Sequence, residues 1–422
     1  MSHEPHGCDE FRRLSRRQFL GRAALTAGAL GAVPWMPRVA RAQVAGGPPR
    51  DVLVYIFLRG GIDSLSVVVP HGDGDLYVQR PTLAIGPPGP GGALDLDGFF
   101  GLNPVAAPLM PAYASGRLAF VHALGTNDHT RSHFDAFKKV EMGVPGQPLG
   151  TAHDGWLARH LQLVPPLADG PLRGAALRST LPITLTGAPR TLPVSAPAEF
   201  VFPGAPATKA VRKAAIAAMY GPSPAPIGPA AIDTLGSIDL LGGIDFDAPP
   251  QHGASYPDTI FGRALQACAT IVRADVGVEA LQVDLDGFDH HNEEGPLDGD
   301  LALLLDELSR SLAAFDQDLG ALMDGVSLVA HSEFGRRVPE NASLGADHGF
   351  GGMAFVLGGH VNGGQVHGTW PGLAPAAQVD GDLACTTDLR DVLGEILAKR
   401  LAATDLASIF PGHVVQFPGV VS

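Results

Sequence analysis

Val52 to Leu58 reads VLVYIFL, an unbroken apolar run that stops at Arg59-Gly60-Gly61. A run with no polar alternation predicts a strand buried on both faces, as in a parallel sheet, followed by a turn. Leu118 to Leu124 (LAFVHAL) predicts a second such strand. Between them, Asn103 to Ser115 has helical spacing interrupted by proline. Ser132 to Met142 has the same spacing and ends at Gly143. The order strand, helix, strand, helix predicts a three-layer α/β domain with a central, mostly parallel sheet.

The pattern then loosens. From about 201 to 257 the chain is rich in Pro, Ala and Gly, with one predicted helix at Thr208–Tyr220. This reads as an excursion on the surface of one domain. Regular spacing returns in a helix at Phe261–Ala274 and a strand at Val278–Leu285. One long amphipathic helix is predicted at Leu297–Met323, with Leu301, Leu304, Leu305, Leu308, Leu312 and Phe315 on its apolar side. Strands at Val326–Ala330 and Met353–Leu357 and a helix at Asp388–Leu401 close the domain.

The first forty residues follow another logic. Ser15-Arg16-Arg17-Gln18-Phe19-Leu20 is a twin-arginine block. An uncharged stretch from Ala23 to Trp35 follows it, and then Ala40-Arg41-Ala42. This order predicts an export signal over residues 1–42 and a single domain over 43–422. No later apolar run reaches the roughly 18 residues of a membrane helix. The expected location is therefore the periplasm or the cell exterior.

Composition narrows the function. Of 422 residues, 29 are Lys or Arg and 43 are Asp or Glu, a formal net charge of −14. So acidic a chain is a poor partner for nucleic-acid phosphates. Three cysteines exclude a disulfide scaffold and a four-cysteine zinc site. Once Cys8 leaves with the leader, Cys268 and Cys385 either pair or stay as two buried thiols.

Ligands of open α/β sheets bind beyond the carboxyl ends of strands. There the predicted strands are followed by Asp63, by Asn127-Asp128-His129-Thr130-Arg131-Ser132-His133, by Asp286-Gly287-Phe288-Asp289-His290-His291, and by His331-Ser332-Glu333-Phe334-Gly335-Arg336. Asp347-His348-Gly349 precedes the next strand. Five such loops would gather at one sheet end. Carboxylates and imidazoles together suit a divalent ion such as zinc or manganese. Ser132 stands where a helix begins, which fits an N-cap or a nucleophile aided by the helix dipole. No Gly-x-Gly-x-x-Gly follows a strand, so a dinucleotide enzyme is not favoured.

The twin-arginine leader, LRGGIDSLSVVVP, RSHFDA, DGFDHHN, SEFGRRVPEN and GADHGFGGMAFVLGGHVNGG together resemble the exported bacterial family catalogued as domain of unknown function 1501. The likeness runs from about Asp51 to Ala402. That family is similar to the alkaline phosphatase and sulfatase superfamily, whose members are metal-dependent hydrolases and mutases of phosphate and sulfate esters. The resemblance implies an alkaline-phosphatase-like fold and one or two ions of zinc or manganese. It implies Asp63, Asp289, His291, Asp347 and His348 as ligands, with Glu333 as a further ligand or an anchor. Asp286 and His290 are the alternative pair that the superfamily's Asp-x-x-x-His spacing would select.

Ser132 stands for the nucleophile, with Thr130 second, and Arg336 or Arg131 would hold a small anionic ester. Two departures stand out. No third His follows Asp347-His348 before the next strand, leaving His360 and His367 as substitutes. The Cys/Ser-x-Pro-x-Arg motif of formylglycine sulfatases is absent. The expected activity is hydrolysis of a phosphate or sulfate ester. The alternative is a non-catalytic exported binding or assembly protein, acting with an exported partner, that keeps the fold.

Overall fold

The computed structural model describes residues 50–422, so the predicted export signal lies outside the described residues. A nine-stranded sheet forms the centre. Its strands are β1 (Val52–Arg59), β2 (Leu118–Gly125), β3 (Gly174–Ala176), β4 (Thr191–Pro193), β5 (Ala280–Asp286), β6 (Val326–His331), β7 (Gly352–Gly358), β8 (Val366–His367) and β9 (Thr387–Asp388). The spatial order is β8-β2-β7-β6-β1-β5-β3-β4, with β9 also on β2. Only β7 runs against its neighbours; every other pairing in the sheet is parallel.

The principal helices are α1 (His133–Met142), α2 (Trp156–Leu163), α3 (Lys209–Tyr220), α4 (Ile227–Leu241), α5 (Ile260–Ala274), α6 (Asp300–Leu319) and α7 (Leu389–Arg400). Successive residues of β1 point to opposite faces of the sheet. Val54, Ile56 and Leu58 join one core with Leu265 of α5 and Leu305, Leu308 and Leu312 of α6. Leu53, Tyr55 and Phe57 join another with Trp156 of α2 and Leu393 and Ile396 of α7. The expected three-layer α/β architecture is therefore present, and β1 is buried on both faces because both layers need it. No helix among the described residues is long and apolar enough to cross a membrane.

Several elements differ from the sequence reading. The long helix begins at Asp300 and gives way after Leu319 to a 3-10 turn over Gly320–Gly325. The excursion carries a second helix, α4, which the dense prolines disguised. Pro229 lies in its first turn, where the missing N–H costs nothing. β3, β4 and α2 were not foreseen, and strands of three residues are too short to show a period. Cys268 and Cys385 are both free thiols.

The topology places the site. β1, β2, β5 and β6 share a direction, so their carboxyl ends lie along one edge. β7 is reversed, so the segment before it, with Asp347 and His348, reaches the same edge. All five polar loops gather there.

Candidate metal centre

Gly60 makes the first turn workable. Its φ is +117°, and a Cβ there would come within 2.7 Å of the Asp289 backbone nitrogen. Only glycine lets the β1 and β5 loops approach so closely.

Arg336 then fastens these loops together. Its guanidinium is 1% exposed and donates to the carbonyls of Gly60, Gly61 (2.6 Å), Phe288 (2.8 Å) and Ala346 (2.9 Å), and to Asp289 Oδ1 (2.9 Å). This corrects the expectation that Arg336 holds an ester. Buried among carbonyls, it has no face left for an anion. Arg131 is half exposed, but its guanidinium is paired with Asp382 at 2.6 Å.

Three imidazoles converge on Asp289. Its Oδ1 lies 3.3 Å from His133 Nε2, 3.1 Å from His291 Nε2 and 3.0 Å from His348 Nε2. His291 Nε2 and His348 Nε2 are 2.9 Å apart. The ligating atoms of His133, Asp289 and His348 all lie within 4.8 Å of one another. Each imidazole is backed on its other nitrogen. His133 Nδ1 meets Glu333 Oε1 at 2.6 Å, His291 Nδ1 meets Asp347 Oδ1 at 2.9 Å, and His348 Nδ1 donates to the Arg131 carbonyl at 2.7 Å.

That pattern turns every Nε2 inward. A carbonyl can only accept, so the His348 proton sits on Nδ1 and its Nε2 is a bare acceptor facing Asp289. Acceptors this close repel unless a cation lies among them. A zinc ion with bonds of roughly 2.0–2.1 Å needs ligand atoms about 3.3 Å apart, close to the spacing found. Imidazoles backed by carboxylate or carbonyl are the usual support for metal-bound histidine. The residues therefore fit a divalent ion.

Without a metal ion, protons on His133 and His291 take the place of that cation. Burial opposes charge on Asp289, yet the three imidazoles and Arg336 hold its carboxyl far below the ordinary range. Burial lowers His133, but Asp289 and Glu333 override it and raise the imidazole to about 9. Asp289 raises His291, against burial. Burial keeps His348 below its ordinary value.

The structure brings Asp289, His291 and His348 together as facing groups and puts Glu333 and Asp347 behind them. Glu333 also accepts from Gly60 N at 3.0 Å, which locks it beneath His133. Asp347 accepts from Asn341 Nδ2 at 3.1 Å. His133 was missed. It sits in RSHFDA directly after Ser132, and an imidazole at the first position of a helix following a strand was the available signal.

Ser132 occupies the N-cap position of α1, though its hydroxyl does not cap the helix. It lies between the Arg131 carbonyl that holds His348 and the imidazole of His133. The alternative residue His290 is buried, and no partner reaches its Nδ1 among the described residues. His367 Nε2 bonds the Asn362 carbonyl at 2.8 Å, away from this cluster.

Asp63 does not join the cluster. Its carboxylate accepts from Leu65 N (3.2 Å) and Ser66 Oγ (2.7 Å) and is paired with Arg80, which is 1% exposed. Arg80 also donates to the carbonyls of Val338 (2.8 Å) and Arg337 (2.7 Å). Glu294 is fully buried beside this pair, with no N–H or O–H donor to either oxygen among the described residues. Burial first and the Asp63 charge second hold its carboxyl well above the ordinary range, so it keeps a proton for Asp63.

Residues 99–401 match the family described as Protein of unknown function (DUF1501). The chain belongs to that family. The family segment contains every residue of the His133–Asp289–His291–His348 cluster, whereas Asp63 and Arg80 precede it. No curated protein matches the chain significantly.

Among solved structures, the C-terminal periplasmic domain of EcEptC from Escherichia coli, in complex with Zn, is 10% identical. It covers 74% of each chain, with a TM-score of 0.35. A protein in the alkaline phosphatase superfamily from Vibrio parahaemolyticus is 11% identical over 74% of this chain and 60% of that one, at 0.32. The PsFucS1 sulfatase from Pseudoalteromonas sp. is 11% identical over 88% and 73%, at 0.36.

Proposed function

We propose that this DUF1501 chain is a metal-dependent hydrolase of a small phosphate or sulfate ester, exported by the twin-arginine route to the periplasm. One observation carries the reading: three imidazoles, each backed on Nδ1, turn their Nε2 atoms onto one carboxylate oxygen. His133, Asp289, His291 and His348 would hold one zinc or manganese ion. When bound, that ion supplies a Lewis acid for an ester oxygen.

The chain's own residues do the rest. Glu333, Asp347 and the Arg131 carbonyl hold the imidazoles in their tautomers. Ser132 is the nucleophile, and the N-terminal dipole of α1 favours an anionic group beside it. Arg131 reaches the ester only by exchanging Asp382 for it.

The test is elemental analysis of protein purified from the periplasm, beside His133→Ala and Ser132→Ala variants. The expected result is roughly one equivalent of zinc or manganese, lost in His133→Ala and kept in Ser132→Ala. Hydrolysis of 4-nitrophenyl phosphate or sulfate should be lost in both. Absence of metal after gentle purification, or unchanged turnover in Ser132→Ala, would overturn it.

The second reading is a non-catalytic exported binding or assembly protein that retains the fold. The occupation of Arg336 by four carbonyls and Asp289 favours it. It expects bound metal with no turnover by the unaltered protein.

A further inference from the structure

Directly after His291 the chain turns away and forms one wall of a cleft of about 520 Å³. Residues 82–85 form the opposite wall, and Leu344 closes a third side. Leu83 and Ile85 are 4% and 2% exposed, and Leu297 and Leu344, on the same lining, are about half exposed. The polar lining includes the carboxylates of Glu293, Asp298 and Asp300, and no Lys, Arg or His lines the cleft. Among the described residues none of these three acids has an ion-pair partner.

The walls are fixed in place. Glu340 accepts from Thr82 N (3.0 Å) and Leu83 N (2.9 Å). Glu293 N and Glu294 N donate to the carbonyls of Ser343 and Leu344 at 2.8 Å each. Asn341 Nδ2 bonds both the His291 carbonyl (2.8 Å) and Asp347 Oδ1 (3.1 Å), which joins this wall to the metal centre.

We propose that the cleft receives the organic part of the substrate, and that this part is an aliphatic chain bearing a protonated amine. The proposal rests on the ester-hydrolase reading for its link to the metal centre. The apolar lining favours methylene groups, roughly fourfold in affinity for each one buried. Three carboxylates without a counter-cation repel an anionic tail and attract an ammonium. A substrate held at both places has its anion at the histidine cluster and its cation beyond Asn292. So strongly acidic a protein would admit such a zwitterion more readily than a polyanion.

The test uses the full exported chain, zinc-loaded and metal-free, titrated calorimetrically with n-hexylammonium, n-hexanol and n-hexanoate. The expected result is that hexylammonium binds about tenfold more tightly than hexanol, the scale of one charged hydrogen bond, and hexanoate more weakly than either. In the Glu293→Gln/Asp298→Asn variant the ammonium preference should fall to threefold or less, with zinc affinity unchanged. Both positions are exposed, and a Leu344→Ser variant, weakening all three probes alike, gives a second check.

Failure of all three probes to saturate, or equal binding of hexanol and hexylammonium, would overturn the cleft. Zinc content and ester turnover are measured on the same samples. Turnover without ammonium binding sinks the cleft and spares the hydrolase reading. Ammonium selectivity without zinc or turnover supports the cleft and sinks the hydrolase reading.

Discussion

Two acidic clusters stand at the same end of the sheet and are built oppositely. Around Asp289 the partners are three imidazoles, each turned so that Nε2 faces the carboxylate. Around Asp63 the partner is Arg80, a permanent cation with its donors satisfied by Asp63 and two carbonyls. Under the proposed function the first cluster is completed by an ion from outside. The second carries its own positive charge and lies beside Glu294, whose carboxyl is held above its ordinary range by burial and the Asp63 charge. Both begin with an aspartate after a strand, so that feature alone does not make a metal ligand. What faces it decides.

The largest expected effect is on the first cluster. Asp289→Asn or His133→Ala should lower zinc affinity by more than the ~100-fold that loss of a supporting partner costs. Calorimetric zinc titration checks this, and retained affinity in either variant would remove the distinction between the clusters.

Next comes Arg80→Met, which strands a buried carboxylate. It should destabilise the protein by about 3–5 kcal/mol in urea unfolding while zinc stoichiometry stays the same. A loss of under ~1 kcal/mol, or loss of zinc, would mean that Arg80 is not the cation of its cluster.

Asp347→Asn tests the supporting layer. The His291 tautomer loses its carboxylate, so zinc affinity should fall roughly 10–100-fold with the fold intact by circular dichroism. A wider fall would make Asp347 a ligand in its own right.

The smallest effect is Glu294→Gln. A neutral amide replaces an acid held neutral, so stability at pH 5 should change by under about 1 kcal/mol. The sign of the pH dependence is the sharper reading. Glu294 has a raised folded-state pKa, so above its unfolded value the unfolded chain has released a proton that the native chain still holds. Its contribution is therefore present at acid pH and is lost as pH rises towards the folded value. The Gln variant should flatten that alkaline decline in unfolding curves. An unchanged slope would show that Glu294 is not the group that keeps the proton.

Much of this was legible along the chain. β1, β2, β6 and β7 appear as short, mostly apolar runs, because a strand covered on both faces has little polar side to show, whereas β5 sets Gln282 and Asp284 among its apolar residues. The polar loops were legible for a related reason: a strand packed on both faces leaves most of its chemistry to its last residue and the turn that follows. Ser132 drew attention away from His133 because a serine at a helix start has two familiar roles, whereas a histidine beside it has no local signature.

Sequence alone determined the strand and helix periods, the acid balance and the five loops rich in Asp and His, since these depend on neighbours within a few residues. Tertiary structure decided the partners. It set Arg80 against Asp63, Glu333 behind His133 and Arg336 across four loop carbonyls. The 48-residue gap between Phe288 and Arg336, and the 200 between His133 and Glu333, leave no trace in local pattern. Electrostatics inside a protein acts through space, so the role of each carboxylate was settled only when the loops met.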